Sequence, residues 1–112
     1  MITIAQARKI ALSMPEAVEA EHMNHPDFRV QNKIFATLRP DDQISVVKIP
    51  VSDQTKLIEK HPKTFSLNGW SRQGYVNVHL QHVSATLFRE LIHNSWRSVA
   101  PKSLLEQIQK KR

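Results

Sequence analysis

Apolar positions change their spacing several times along the chain. Ile4, Ala7 and Ala11 recur at helical intervals, with Thr3 and Gln6 placed as a capping box, so a first helix is predicted to about Met14, where Pro15 stops it. From Ala17 to Ile49 the period falls to about two, in four short pieces separated by turn residues. Val18–Met23 comes first, and His25-Pro26-Asp27 reads as a break before Phe28–Val30. Gln31-Asn32-Lys33 reads as a tight hairpin because asparagine tolerates the left-handed conformation that a two-residue turn demands. Ile34–Leu38 is the return strand, Arg39-Pro-Asp-Asp-Gln43 a second turn, and Ile44–Ile49 the next strand.

Beyond residue 51 helical and extended patterns alternate. Ser52 or Asp53 is placed to cap a second helix to about Lys60 that buries Leu57 and Ile58, before a stop at His61-Pro62. Residues 65–74 form a turn-rich stretch holding both glycines of the chain, Gly69 and Gly74, where the backbone is free to adopt conformations barred elsewhere. Tyr75, Asn77 and His79 alternate with Val76, Val78 and Leu80, the pattern of a half-buried strand. Ser84 caps the clearest helix, on which Leu87, Phe88, Leu91, Ile92, Trp96 and Val99 make one wide apolar stripe. A last helix from Lys102 to about Lys110 presents Leu104, Leu105 and Ile108. Antiparallel strands grouped in sequence, with helices able to cover one face, give an α+β fold rather than a doubly wound sheet.

Composition bounds the function. The 112 residues suffice for one domain, 1–112, and the absence of cysteine excludes disulfides, thiolate metal sites and cysteine nucleophiles. No secretory signal or membrane-spanning run is found, so the cytoplasm is the expected address and no membrane is expected as a partner. The Ser84 helix stripe is wide enough to cover a sheet face within one copy, so a monomer suffices, without excluding a dimer. Sixteen basic against ten acidic side chains leave +6. The excess grows from −1 over residues 1–21 to +4 over 81–112, ending in the basic tail Lys110-Lys111-Arg112.

Most motifs of catalysis are missing. His22/His25 and His79/His82 have a His-x-x-His spacing, but on one strand such pairs point to opposite faces, so no metal and no cofactor is expected. Ser71 lacks the framework of a nucleophile elbow, and Asp41-Asp42 is what a turn prefers. Gly69 and Gly74 have phosphate-loop spacing, yet Tyr75 and Val76 stand where lysine and serine are required. What remains is charge at turns. Arg29 and Lys33 flank the first hairpin, Arg39 opens the next turn, Lys48 lies on the following strand, and Lys63 and Arg72 bracket the glycine loop, so hairpins projecting as wings would carry cations able to straddle phosphates. Trp70, between Gly69 and Ser71, is either an exposed stacking platform for a base or a core residue ahead of a strand; Trp96 reads as core.

The words Ser13-Met-Pro-Glu16, Pro26-Asp-Phe-Arg-Val30, Lys33-Ile-Phe-Ala36, Gly69-Trp70 before Tyr75-Val-Asn-Val-His-Leu80, and Asn94-Ser-Trp-Arg-Ser-Val-Ala-Pro-Lys102 follow one another at family spacing. In these the chain resembles the YjbR (MmcQ/YjbR) family of small bacterial proteins over about residues 3 to 105. The resemblance implies a CyaY-like α+β domain that binds DNA through a double wing of β-hairpins and is not an enzyme. Its kinship with frataxin raises iron binding, but Glu16, Glu19 and Glu21 are the only acidic cluster and no acidic ridge is present. Two readings stay open: a DNA-binding domain contacting phosphates through Arg29, Lys33, Arg39, Lys48 and Arg72 with Trp70 beside them, or a protein-interaction or small-molecule module using the Tyr75, Asn77, His79 face. A face that is concave and partly apolar would favour the second, and a flat one ringed by lysine and arginine the first.

Overall fold

The computed structural model describes residues 1–110, so the basic tail expected at 110–112 lies largely outside the described residues. Helix α1 (Ile4–Leu12) starts with the predicted capping box, Thr3 Oγ1 accepting from Gln6 N while Gln6 Oε1 accepts from Thr3 N. Six strands follow: β1 (Val18–His22), β2 (His25–Val30), β3 (Lys33–Arg39), β4 (Ile44–Lys48), β5 (Phe65–Ser66) and β6 (Tyr75–His79). They form one antiparallel sheet in the order β1-β2-β3-β4-β6-β5. Helices α2 (Val51–Lys60), α3 (Ala85–Val99) and α4 (Lys102–Lys110) complete the α+β fold.

The register sorts the side chains onto two faces, because residues directly opposite across an antiparallel pair point the same way. Phe28, Ala36, Leu38, Val47, Val76 and Val78 turn inward, all at most 2% exposed, against α3 and α1. Phe88, Leu91, Ile92 and Trp96 of the α3 stripe are buried there, while Leu87 and Val99 stay partly exposed at its margins. The other face carries no helix among the described residues. There stand Ala20 and His22 of β1, His25, Asp27 and Arg29 of β2, Thr37 and Arg39 of β3, Ile44, Val46 and Lys48 of β4, and Tyr75, Asn77 and His79 of β6. β1 is one edge of the sheet and the two-residue β5 the other; β1 carries Glu19 and Glu21 on its helix side, where Glu19 pairs with Arg8 of α1.

Between Phe28 and Arg29 the β2–β3 register shifts by one residue, leaving Phe35 as the extra residue of a bulge. Its carbonyl is recovered from above, since Ser95 Oγ of α3 donates to Phe35 O and accepts from Lys48 N at 2.9 Å. One hydroxyl thereby ties α3 to both central strands.

Four expectations need correction. His25-Pro26-Asp27 is not a break but the start of β2, and the turn lies at Met23-Asn24, with φ of 49° and 64°. Pro26 is tolerated because it precedes the β2–β3 ladder, which begins at Asp27, so no partner is owed a donor there. Helix α2 starts at Val51 without a side-chain cap, not at Ser52 or Asp53; Pro50, with φ of −52°, sets the first turn, and Asp53 N donates to Pro50 O. Its buried residue is Gln54, which donates to Ile49 O and Ser71 O, whereas Leu57 and Ile58 are partly covered. Finally, the stretch 65–74 contains a short strand, and of the two glycines only Gly74, with φ of 101°, takes a left-handed conformation.

With glycine so scarce, six other residues take positive φ, among them Gln31 (46°) and Asn32 (68°) in the second hairpin turn. A turn of this kind favours Asn-Gly. Replacing Gln31-Asn32 with Asn-Gly is expected to raise the unfolding free energy by about 1 kcal/mol, measured as a shift of the urea midpoint at constant slope.

Candidate nucleic-acid interface

The uncovered face is concave. A groove of about 390 Å³ crosses it, walled on one side by His22, Met23 and His25 at the first hairpin and on the other by Asn68 and Trp70. Its floor is Ile34, Thr37, Val46 and Tyr75, and Arg39 closes one end. Both walls carry large apolar side chains in water: Met23 is 86% exposed and Trp70 68%.

The main chain at Trp70 is pinned and carries the indole into solvent. Its main-chain N–H donates to Asn68 Oδ1 at 2.7 Å, and its carbonyl accepts from Gln73 N and Tyr75 N. Asn68 is fixed in turn, its N–H to Ser71 Oγ and its amide Nδ2 to Asn77 Oδ1, and Ser71 Oγ donates to Tyr75 O. Sequence alone could not separate this from a core tryptophan, because the decision lies in contacts formed by Asn68 and Ser71 outside the hydrophobic pattern.

The opposite wall is organised by Asp27, which is fully buried although it belongs to the uncovered face. Arg29 Nε donates to its Oδ1 at 2.7 Å and Arg29 Nη2 to its Oδ2 at 3.0 Å, a two-pronged pair. His22 Nδ1 lies 2.7 Å from the same Oδ2. The Arg29 hydrogen bonds hold the Asp27 carboxyl below its ordinary value of 3.8 against burial, which pushes it up, and the His22 hydrogen bond lowers it further. The same contact keeps Arg29 more firmly charged. Because the folded value lies below the unfolded one, the ionised Asp27 contributes stability above pH 3.8 that is lost as the pH falls through and below that value. Asp27→Asn should therefore flatten the acid limb of stability below about pH 4. Urea midpoints measured from pH 2 to 6 check this; an unchanged acid slope in the variant would remove Asp27 from the acid response.

The six predicted residues do not form one ring of cations. Arg29 is committed to Asp27 and, through Nη1, to Asn32. Lys33 stands exposed at the hairpin end opposite Val30. Arg39 faces the groove with Nη2 on Asp42 at 3.1 Å and an enclosed Nε that has no hydrogen-bond partner among the described residues. Lys48 Nζ lies 5.6 Å from the Tyr75 ring centroid, a cation–π contact, and with Arg72 it lines a second concavity of about 390 Å³ beside Gly74, Asn94 and Ser98. Tyr75 belongs to the groove floor and touches Lys48, so the two concavities adjoin. Arg39 and Trp70 thus line the groove, while Lys48 and Arg72 line a separate hollow that reaches α3, and the Lys48–Tyr75 contact links the two.

His22 and His25 also stand differently from expectation. They lie on two strands across the Met23-Asn24 turn, directly opposite one another, and both line the groove. The single-strand parity that would separate them does not apply. Among the described residues no group of three or more histidine or carboxylate side chains is placed to hold a metal ion. No helix among them is long and apolar enough to cross a membrane.

Comparison with known proteins places this architecture. The crystal structure of Deinococcus radiodurans protein DR2400, a DUF419 domain, superposes with a TM-score of 0.79 at 20% identity, covering 92% of this chain and 82% of that one, which establishes a shared fold. A search of curated proteins finds no match. The YjbR family model matches residues 12–98, from the end of α1 through the last turn of α3, and so takes in the whole sheet and both walls of the groove. The chain belongs to the YjbR family.

Proposed function

We propose that this chain is a DNA-binding domain, without catalytic chemistry of its own, that receives a single strand across the uncovered face of the sheet. The observation that carries the reading is Trp70, an exposed indole on a hydrogen-bonded main chain at the rim of an aliphatic and aromatic groove. Bases stack on such a platform with little regard for sequence, while cations at either end take the backbone. Here Arg39 serves one end and Lys48 with Arg72 the other, with a net charge of +6 behind them. Straddling a duplex by its phosphates draws less support, because Arg29 is already paired and the face is concave and partly apolar rather than flat.

On the criterion drawn from the sequence, a concave and partly apolar face favours the second reading, a small molecule or a peptide seated in the groove, over duplex DNA, and the groove's volume falls in the range of small-ligand sites. Fluorescence anisotropy of a labelled 20-base strand and the corresponding duplex at several salt concentrations separates these. The single-strand reading expects the strand to bind more tightly than the duplex, with log affinity falling linearly in log salt at about 0.7 per phosphate neutralised. Affinity that ignores salt, or no binding at low salt, transfers the groove to the second reading.

A further inference from the structure

His22 is the one groove residue whose hydrogen-bonding sense is dictated from behind. Its Nδ1 faces Asp27 Oδ2 at 2.7 Å, and Asp27 is fully buried, doubly bonded by Arg29, and held ionised by it. A carboxylate accepts and cannot donate, so the hydrogen of the neutral imidazole must reside on Nδ1. Nε2 is then a bare acceptor. It has no protein partner among the described residues, and His22, with a side chain 38% exposed, lines the groove. Arg39, which closes one end of the groove, offers the reverse chemistry, its guanidinium being a donor only.

We infer that His22 is a specificity-determining residue that accepts a hydrogen bond from the exocyclic amino group of a base lying in the groove. This rests on the single-strand reading above. Adenine and cytosine carry such an amino group beside an acceptor, which suits an acceptor and a donor on the protein; thymine presents a carbonyl oxygen at the same place. An oxygen facing Nε2 leaves two acceptors without a hydrogen between them. One hydrogen bond gained or forfeited in this way is worth about tenfold in affinity. Asp27 is a positioning residue: it touches no ligand and fixes the tautomer.

The test compares ten-base strands of dA, dC and dT on the full chain. The expected result is binding of dA and dC about tenfold tighter than dT. His22→Phe should bring the three within about twofold. Asp27→Asn should do the same or reverse the order while leaving His22 in place, because an amide that donates to Nδ1 moves the ring hydrogen to Nε2. A purely structural role for Asp27 would lower all three affinities alike. Circular dichroism and the urea midpoint show whether each variant folds, and His22→Gln substitutes if His22→Phe does not. Equal binding of the three strands, or a preference that survives both substitutions, overturns the inference and leaves the single-strand reading intact. If no strand binds, that reading fails. The inference is then decided by imidazole nitrogen NMR with dCMP and dTMP: His22 hydrogen on Nδ1 and a larger shift with dCMP keep it, and any other result removes it.

Discussion

Replacing Trp96 with alanine lowers the unfolding free energy by about 3–5 kcal/mol. The indole is 1% exposed and among the largest side chains of the core. It is also a long-range tie. Nε1 donates to Pro15 O at 3.0 Å, joining α3 to the exit of α1 across 81 positions of sequence, while its ring stacks on His93 at a centroid distance of 6.3 Å. Alanine leaves a cavity in the core and removes the hydrogen bond to Pro15 O. A domain of this size has about 5–15 kcal/mol in total, so the variant should remain folded only narrowly. Trp96→Phe, which keeps most of the volume and loses the hydrogen bond, should lie well under half of that loss. Denaturant melts at constant slope measure both; a cost under about 1 kcal/mol for alanine would mean that the α3 stripe does not face the core.

Trp70→Ala should do the opposite, leaving stability within about 0.5 kcal/mol and weakening single-strand binding roughly 10- to 100-fold. With the indole 68% exposed, little packing is lost on truncation. A base stacked on an aromatic side chain contributes about 1–3 kcal/mol, which sets the range. Trp70→Phe should recover a large part. The two tryptophans report separately, one in water and one in the core, so strand binding should quench the Trp70 emission and spare that of Trp96. A Trp70→Ala variant that binds as tightly as the natural chain places the strand elsewhere.

Much of the architecture was readable because it depends on local rules. The Thr3–Gln6 box, the Ser84 cap accepting from Leu87 N, the α3 stripe and the alternation of β6 each need only a few neighbouring residues to declare themselves. Misreadings arose where a distant partner overrides the local signal. Pro26-Asp27 has the look of a turn, yet Asp27 is drawn into the sheet by Arg29 and His22, and Pro26 escapes its own penalty by preceding the ladder. The break expected at 25–27 is instead a turn at Met23-Asn24, ahead of the Gln31-Asn32 hairpin, and with it the relation of His22 to His25 is reversed from apart to facing. Phe65-Ser66 is too short to show a period, and becomes a strand only because Val78 and Asn77 are beside it. The candidate site was legible as a set of residue types and not as a place. Arg39, Lys48, Trp70 and Arg72 do converge on two adjoining hollows, but Arg29 is spoken for by Asp27, a pairing visible only once β2 is formed.

The β1 edge of the sheet has a consequence for how copies of the chain behave when crowded. β1 offers five residues of strand with one side unpaired, the kind of template on which proteins aggregate. If a second β1 were laid against it antiparallel about Ala20, Glu19 would fall opposite the newcomer's Glu21, twice over, with like charges on the same face. Arg8 offsets only part of the Glu19 charge, the pair being largely in water, and Glu21 has no such partner among the described ion pairs, so each Glu19–Glu21 contact stays repulsive. In a chain that is otherwise rich in positive charge, two glutamates on the exposed rim act as a guard against edge-to-edge fibre growth.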